Sequence, residues 1–374
     1  MARDRPRLRL EGFAGVHGSL ELGYGVIYST GASSAEREAI PRLLYALWLP
    51  VQPLPPRGYA ESLAEAVREA FGGDPGGSFT LEGCGVRLVY RGGGARVEAS
   101  FDPGERVESD ERIVDSVKRF CFGSTLARRM YRGDVQRCLD DLREGWAQVL
   151  VHEALMCGLV RYAPEPHSGL PRATPPSLLG PERVCGGRKP GDLERIDPLL
   201  YRLSRPIRGG VEEAGVAPIL AEAASLIGGG RSLLAVIEPG LGLHPRSARL
   251  AAWILLRIAS RGVTVAASTA SETLLSEARL QVLLYELYRR RPATASEAFS
   301  RIIRGLGVEI DAKEAVRLAN SVLGAGGPVR ILYVTGGELR EATIQQLLET
   351  LPGLQDDIER QVGDLLEVVE AMGA

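Results

Sequence analysis

Two short polar segments of the chain stand where loops could carry chemistry. The first, Ser29 to Ser34, is small and polar, contains a glycine, and separates an apolar strand pattern from an apolar helical pattern. The second begins at Glu238, directly after the apolar run 232–237. Backbone N–H groups of a loop before a helix can hold phosphate oxygens, and a carboxylate at a strand end can act as a general base. The first segment is therefore a candidate for anion binding, and the carboxylate of the second is a candidate for acid–base chemistry.

The candidate phosphate loop lacks the residues that usually bind nucleotides. Its candidate members are Ser29, Thr30, Gly31, Ser33 and Ser34. A loop of the form Gly-x-x-x-x-Gly-Lys-Ser/Thr needs the lysine for the phosphates and the hydroxyl for Mg²⁺. Ala35 stands at the lysine position and Glu36 at the hydroxyl position, and only Lys118, Lys189 and Lys313 are lysine among the 45 basic residues. Because a carboxylate facing polyphosphate opposes binding, we expect no bound ATP. We also expect no Mg²⁺, no other metal and no cofactor.

Alternating strand and helix patterns must position these residues. The predicted elements are strands at 8–13, 20–22 and 26–28, helices at 35–48 and 59–71, a hairpin at 79–101, helices from 110 to 158, a strand at 232–237, a helix at 247–260, strands at 263–267 and 329–334, and a helical tail at 339–372. Strand, helix and strand with short connections favour parallel pairing. We predict an α/β fold with a mainly parallel core sheet.

Three segments resemble the ATPase heads of the structural-maintenance-of-chromosomes, ABC-type and OLD-like family. They are 8–28, the stretch from Ile237-Glu238-Pro239 to Leu243-His244-Pro245, and 263–271. The resemblance implies a P-loop NTPase-like fold, with one domain over 1–374. Its lobes would be an N-terminal strand and hairpin lobe at 1–105, a helical and loop insertion at 106–200, and a C-terminal α/β lobe with a helical tail at 201–374.

The resemblance also assigns roles, and the chain departs from the family at each of them. Glu238 takes the catalytic glutamate position, but no Asp lies between Asp197 and Asp311 to hold Mg²⁺. Ala270 stands where the family has a switch histidine. The signature position holds Arg208-Gly209-Gly210 in place of Ser-Gly-Gly. These joint departures predict a catalytically inactive homologue, a pseudo-ATPase that acts as a binding or scaffolding subunit.

Because active members of the family work as head-to-head dimers, the resemblance implies a protein partner, either a second copy of this chain or an intact ATPase homologue. Two alternatives remain open. One is a weak or noncanonical ATPase in DNA repair or defence, with Glu238 as the base. The other is a nucleic-acid-binding or ribosome-binding protein that uses the arginine clusters Arg128-Arg129-Arg132 and Arg289-Arg290-Arg291.

Each candidate residue also has a structural interpretation. Glu238 can anchor a loop, and Ser33 or Ser34 can cap the helix that follows. His244 can lie in a turn or at an interface, and the arginine clusters can be solvated faces.

Composition limits the remaining function classes. The formal charge of −2 over 374 residues gives no global basic excess, so any contact with a polyanion must be a local patch. The five cysteines form no C-x-x-C pair, and their odd number suggests a reducing compartment. No run approaches the length of a membrane span. We therefore expect a cytoplasmic protein with no membrane partner.

Overall fold

The protein is a mixed α/β chain, as predicted. A computed structural model describes residues 5–48, 59–156, 177–179, 191–207, 213–227, 232–324, 329–343 and 370–371. The strands are β1 (Arg7–Phe13), β2 (Val16–Glu21), β3 (Val26–Gly31), β4 (Ser78–Gly83), β5 (Val86–Arg91), β6 (Gly94–Ala99), β7 (Ser177–Leu179), β8 (Ser232–Ile237), β9 (Val263–Ser268), β10 (Val329–Thr335) and β11 (Glu338–Glu341). The helices are α1 (Ser34–Trp48), α2 (Tyr59–Phe71), α3 (Pro103–Ser109), α4 (Glu111–Gly123), α5 (Thr125–Met130), α6 (Val135–Leu155), α7 (Gly191–Ile196), α8 (Pro198–Ser204), α9 (Glu213–Leu226), α10 (Pro245–Ser260), α11 (Glu272–Arg290), α12 (Pro292–Gly305) and α13 (Ala312–Leu323).

The chain divides into two compact units, each built from several separate segments. The first unit comprises Met1–Gly23, Arg42–Pro176 and Gly230–Ser232. The second comprises Tyr24–Pro41, Ser177–Gly229 and Leu233–Ala374. The predicted segments 1–105, 106–200 and 201–374 are contiguous, whereas β3 and the start of α1 belong to the second unit although they lie near the N-terminus.

The first unit has an antiparallel sheet with the strand order β6-β5-β4-β1-β2. Along β1, buried and exposed side chains alternate as far as Glu11, so that Leu8 and Leu10 face the core, and an irregularity in the strand at Gly12 brings Phe13 to the buried face as well. The ring of Phe13 packs edge-on against Phe79 and Tyr90, with centroids 5.1 and 5.9 Å away. Alternation of this kind is what a sheet with one buried face requires.

Helices α3 to α6 form a second core in the first unit, and a disulfide crosses it. Cys121 in the last turn of α4 bonds to Cys138 in the first turn of α6. Both residues are buried beside Leu142 and Trp146. Disulfides are rare in reducing cytosol and are common inside the cells of hyperthermophiles. The pairing removes the support that the odd cysteine count gave to a reducing compartment.

The second unit has the strand order β11-β10-β3-β9-β8-β7. Strand β3 pairs in parallel with β10 on one side and β9 on the other, and β7 pairs in parallel with β8. Strand β11 is antiparallel to β10. Parallel pairs therefore predominate in this unit. Over all described strands antiparallel pairs predominate, so the prediction of a mainly parallel sheet is wrong for the chain as a whole.

Two local predictions also need correction, and turn residues explain both. The hairpin predicted at 79–101 has three strands, because Cys84 and Gly85 take positive φ values of 47° and 84° and reverse the chain after β4. The helical tail predicted from 339 starts as β11, because Gly336 and Gly337 form a two-residue turn with φ of 59° and 81°. The rest of that tail, apart from residues 342–343 and 370–371, lies outside the described residues.

A buried ion cluster fixes α8 against α10 in the second unit. The Asp197 side chain is fully buried and accepts a hydrogen bond from the Leu200 N–H at 2.9 Å, which caps α8. Its carboxylate also pairs with Arg257 at 2.9 Å and with Arg261 at 3.2 Å. Burial lowers the pKa of Arg257, and Asp197 opposes that effect. The Asp197 carboxylate thus caps α8 and pairs with two guanidinium groups at the same time.

Across the part of the chain that the structure describes, no helix is both long and apolar enough to cross a bilayer.

Candidate functional site

The predicted site residues meet where the strands of the second unit end. Strands β10, β3 and β9 run in parallel, so their carboxyl ends lie at one edge. Glu238, directly after β8, donates its N–H to the Ser268 carbonyl at the end of β9 at 3.0 Å. The Thr269 N–H donates to the Ser29 carbonyl at 2.9 Å. Ligands of open α/β sheets bind at this edge.

The candidate phosphate loop continues the sheet and does not open a space for a ligand. Ser29 is fully buried in β3, and its hydroxyl has no hydrogen-bond partner among the described residues. A Cβ on Gly31 would lie 2.7 Å from the Val334 carbonyl oxygen in β10. Real Cβ atoms do not approach backbone this closely, so glycine at this position lets the two strands meet. Gly31 therefore serves strand packing.

Glu36 occupies the N-terminus of α1 with its own carboxylate. Its Oε2 accepts from the Ser33 N–H at 3.1 Å, while the Ser33 hydroxyl accepts from the Glu36 N–H at 3.2 Å. This reciprocal pair is a capping box. The other oxygen, Oε1, accepts from the Gly337 N–H in the β10–β11 turn at 3.0 Å. Hydrogen bonds from the Ser33 backbone and hydroxyl, and from Gly337, lower the pKa of Glu36.

Arg37 joins the loop to the end of β8. Its Nε donates to Glu238 Oε1 at 2.8 Å, and the two side chains are only 14% and 11% exposed. Its Nη1 donates to the Gly31 and Ala32 carbonyls at 3.0 and 3.3 Å. One guanidinium therefore neutralises Glu238 and satisfies two loop carbonyls.

Glu238 is held in an unusual backbone conformation by these contacts. Its φ is +52°, a left-handed value that non-glycine residues rarely adopt. Its Oε2 accepts from the Ala270 N–H at 2.8 Å, and its own N–H also contacts the Ser268 hydroxyl at 3.3 Å. Such strain persists only where the surroundings fix the residue. Glu238 thus connects the ends of β8 and β9 to α1.

The remaining predicted residues have structural placements or lie outside the description. Thr30 is half-buried near the end of β3, and the Ser34 hydroxyl donates to Glu38 in the first turn of α1. His244 caps α10, where its Nδ1 accepts from the Arg246 N–H at 3.3 Å. The signature position, 208–210, lies outside the described residues.

The arrangement supplies few features that nucleotide chemistry needs. Both oxygens of Glu238 accept hydrogen bonds from the chain itself, and the helix N-terminus that would attract an anion already holds Glu36. Among the described residues, no group of three or more His, Cys, Asp or Glu side chains could hold a metal. An incoming polyphosphate would have to displace the Glu36 carboxylate from its N–H donors.

Sequence reasoning missed two participants, Arg37 and Gly337. Arg37 lies one residue after Glu36, but its partner Glu238 is 201 positions away in the chain, so no local sequence pattern predicts this ion pair. Gly337 stands in a Gly-Gly pair after an apolar strand pattern, and this was the available signal for a tight turn.

A cleft of about 640 Å³ lies elsewhere in the second unit, beside α8. Its lining includes Glu194, Tyr201, Arg202, Arg205 and Glu309. The two arginines face carboxylates, since Arg205 lies 3.6 Å from Glu309 and Arg202 pairs with Glu314. These compensated charges leave no surplus to recognise an ionic ligand.

Comparison with protein-family profiles, with characterised proteins and with solved structures finds no match for this chain.

Proposed function

We propose that this protein is a non-hydrolysing relative of the ABC and SMC type ATPase heads and acts as a binding or scaffolding subunit. One observation carries the proposal: the Glu36 carboxylate occupies the helix N-terminus at which that family binds phosphate. A charge of the same sign as the nucleotide therefore stands in the nucleotide's place.

The ion pair between Arg37 and Glu238 supports the same proposal. In a working site the glutamate would face a water molecule and the loop would carry a free cation. Here the guanidinium and the carboxylate satisfy each other at 2.8 Å, and Gly31 is packed against β10. The edge of the sheet retains its shape, while its charged groups stabilise the fold.

Isothermal titration with Mg²⁺-ATP, Mg²⁺-ADP and ATP without metal tests the loss of nucleotide binding. We expect no heat of binding at millimolar nucleotide and no ATP hydrolysis above buffer. Micromolar nucleotide binding would overturn the proposal, and ATP hydrolysis that Glu238→Gln abolishes would favour the noncanonical ATPase. The matched control is Glu286→Gln, which removes a carboxylate from a surface ion pair.

The scaffolding half of the proposal needs a separate measurement. Light scattering after size exclusion gives the mass of the native particle, which is 40.2 kDa for one chain. Affinity purification from the native cell extract, with and without ATP, gives its partners. We expect a dimer or a stable complex with an intact ATPase. A monomer that retains no protein under either condition would contradict the scaffolding role.

A further inference from the structure

One segment of the first unit is strongly basic, although the net charge of the whole chain is only −2. Residues 118–137, called the basic tip below, contain six cations and one carboxylate. The cations, all exposed, are Lys118, Arg119, Arg128, Arg129, Arg132 and Arg137. The carboxylate, Asp134, caps α6 by accepting from the Arg137 N–H at 3.0 Å. In the described part of the chain, none of the six cations forms an ion pair.

The same tip exposes large apolar side chains. Phe122, Leu126 and Met130 are 59%, 52% and 49% exposed. They do not contribute to the buried core, which α4, α5 and α6 build from other residues such as Phe120, Ala127 and Leu142. All three fall within residues 122–130, and large apolar side chains exposed in one short segment are typical of an interaction surface.

The chain holds the tip in a fixed conformation. The disulfide between Cys121 and Cys138 closes it at its base. Ser124 caps α5 by accepting from the Leu126 and Ala127 N–H groups at 3.1 and 3.3 Å. Arg132 and Gly133 then turn the chain with positive φ toward α6. The exposed cations and apolar groups are thus presented together.

Two acidic residues that follow the tip in α6 have partners of their own. Asp141 accepts a hydrogen bond from Tyr131, whose pKa is raised by burial and by this carboxylate, and Asp140 accepts from Gln136 at 2.9 Å. Neither carboxylate pairs with an arginine of the tip. The cations are therefore available to an external anion.

Although the sequence alone led us to expect no membrane partner, we infer that the basic tip is a docking surface for an anionic phospholipid bilayer. Both halves of the surface have a partner there: the cations meet lipid phosphates and carboxylates, and the three apolar side chains enter the acyl boundary. A nucleic-acid interface is polar overall, and duplex-bending proteins place apolar side chains in it only as wedges between base steps. Three large apolar side chains exposed beside unpaired cations fit the acyl boundary of a bilayer better than a polar duplex surface, and the assays below distinguish the two.

Co-sedimentation with vesicles tests the inference. We expect the intact protein to bind vesicles of phosphatidylcholine with about 30% phosphatidylserine and to leave pure phosphatidylcholine vesicles unbound, since each cation near an anionic surface adds roughly fivefold to the partition. The triple variant Arg128→Gln, Arg129→Gln and Arg132→Gln should bind roughly 100-fold more weakly on that arithmetic. The control triple, Arg289→Gln, Arg290→Gln and Arg291→Gln, should bind as the parent does.

A second triple variant separates a bilayer from a duplex. Phe122→Ser, Leu126→Ser and Met130→Ser should also weaken vesicle binding, roughly 100-fold for three half-exposed side chains, while its salt dependence stays that of the parent. Thermal melting of each variant checks that the fold is retained. Absent binding to anionic vesicles, equal loss in the control triple, or duplex DNA binding that the serine triple leaves unchanged would each overturn the inference.

Discussion

The ion pair between Arg37 and Glu238 should be worth more than an ordinary surface pair, and a double-mutant cycle measures it. The variants are Arg37→Met, Glu238→Gln and their combination. The side chains are 14% and 11% exposed, which places the pair between an exposed pair and a fully buried one. Exposed pairs contribute about 0–1 kcal/mol and breaking a buried pair costs about 3–5 kcal/mol. We expect each single variant to lose about 2 kcal/mol and the coupling to be about 1–2 kcal/mol.

Hydrogen exchange read by mass spectrometry suits this measurement, because the pair lies wholly within the second unit and the peptides covering α1 and β9 report its opening. A matched control is the exposed helical pair Arg289 and Glu286, in which one side chain is 64% exposed. Its cycle should give about 0.3–0.5 kcal/mol. Coupling below about 0.5 kcal/mol at Arg37 and Glu238, or equal coupling in the control, would refute the structural role of Glu238.

Three further perturbations follow from contacts described above. Asp197→Ala should lower the free energy of unfolding by about 3–5 kcal/mol in urea titration, because it leaves the buried Arg257 without a counter-charge; a change no larger than that of a surface substitution would contradict the buried cluster. Gly31→Ala should cost about 1–3 kcal/mol by crowding the Val334 carbonyl, whereas Gly23→Ala, where a Cβ meets nothing within 4 Å, should be neutral in the same assay. Hydrogen bonds to Glu36 hold its pKa in the folded protein below the ordinary value. The ionised Glu36 carboxylate therefore stabilises the folded state fully above about pH 4.3, the pKa of an unfolded glutamate, and this stabilisation is lost as the pH falls through the pKa of Glu36 in the folded protein. The melting temperature of the parent should accordingly exceed that of Glu36→Gln at neutral pH and approach it between about pH 5 and pH 3, and a constant difference across that range would refute the assignment.

Much of the second unit could be predicted from local patterns. Strand β8, helix α10 and strand β9 follow from two short apolar runs around an amphipathic stretch, and their short connections leave few topologies. Helix α1 follows from the serines that precede it, and Ser33 provides the predicted cap. These elements depend on residues close together in sequence, which is why their patterns suffice.

Other features depend on contacts that local patterns do not encode. The pairing of Arg37 with Glu238 joins residues 201 positions apart. The disulfide joins Cys121 to Cys138 across two helices, and no spacing rule distinguishes them from the other three cysteines. The division into two units arises because β3 pairs with β9 and β10, which lie more than 200 residues later in the sequence. Patterns read along the sequence place β3 with its neighbours β1 and β2 instead.

The position of β3 has a consequence for how the chain is synthesised. Val26 pairs with Val265 on one side and with Val329 on the other, so this apolar strand has neither neighbour until most of the chain exists. At about 5–20 residues per second, the ribosome needs on the order of 15–60 s after β3 before β10 emerges. An apolar strand left unpaired for that time is a site of aggregation. The yield of folded protein should therefore depend on chaperone concentration and on the rate of translation, even if the folded protein itself is stable.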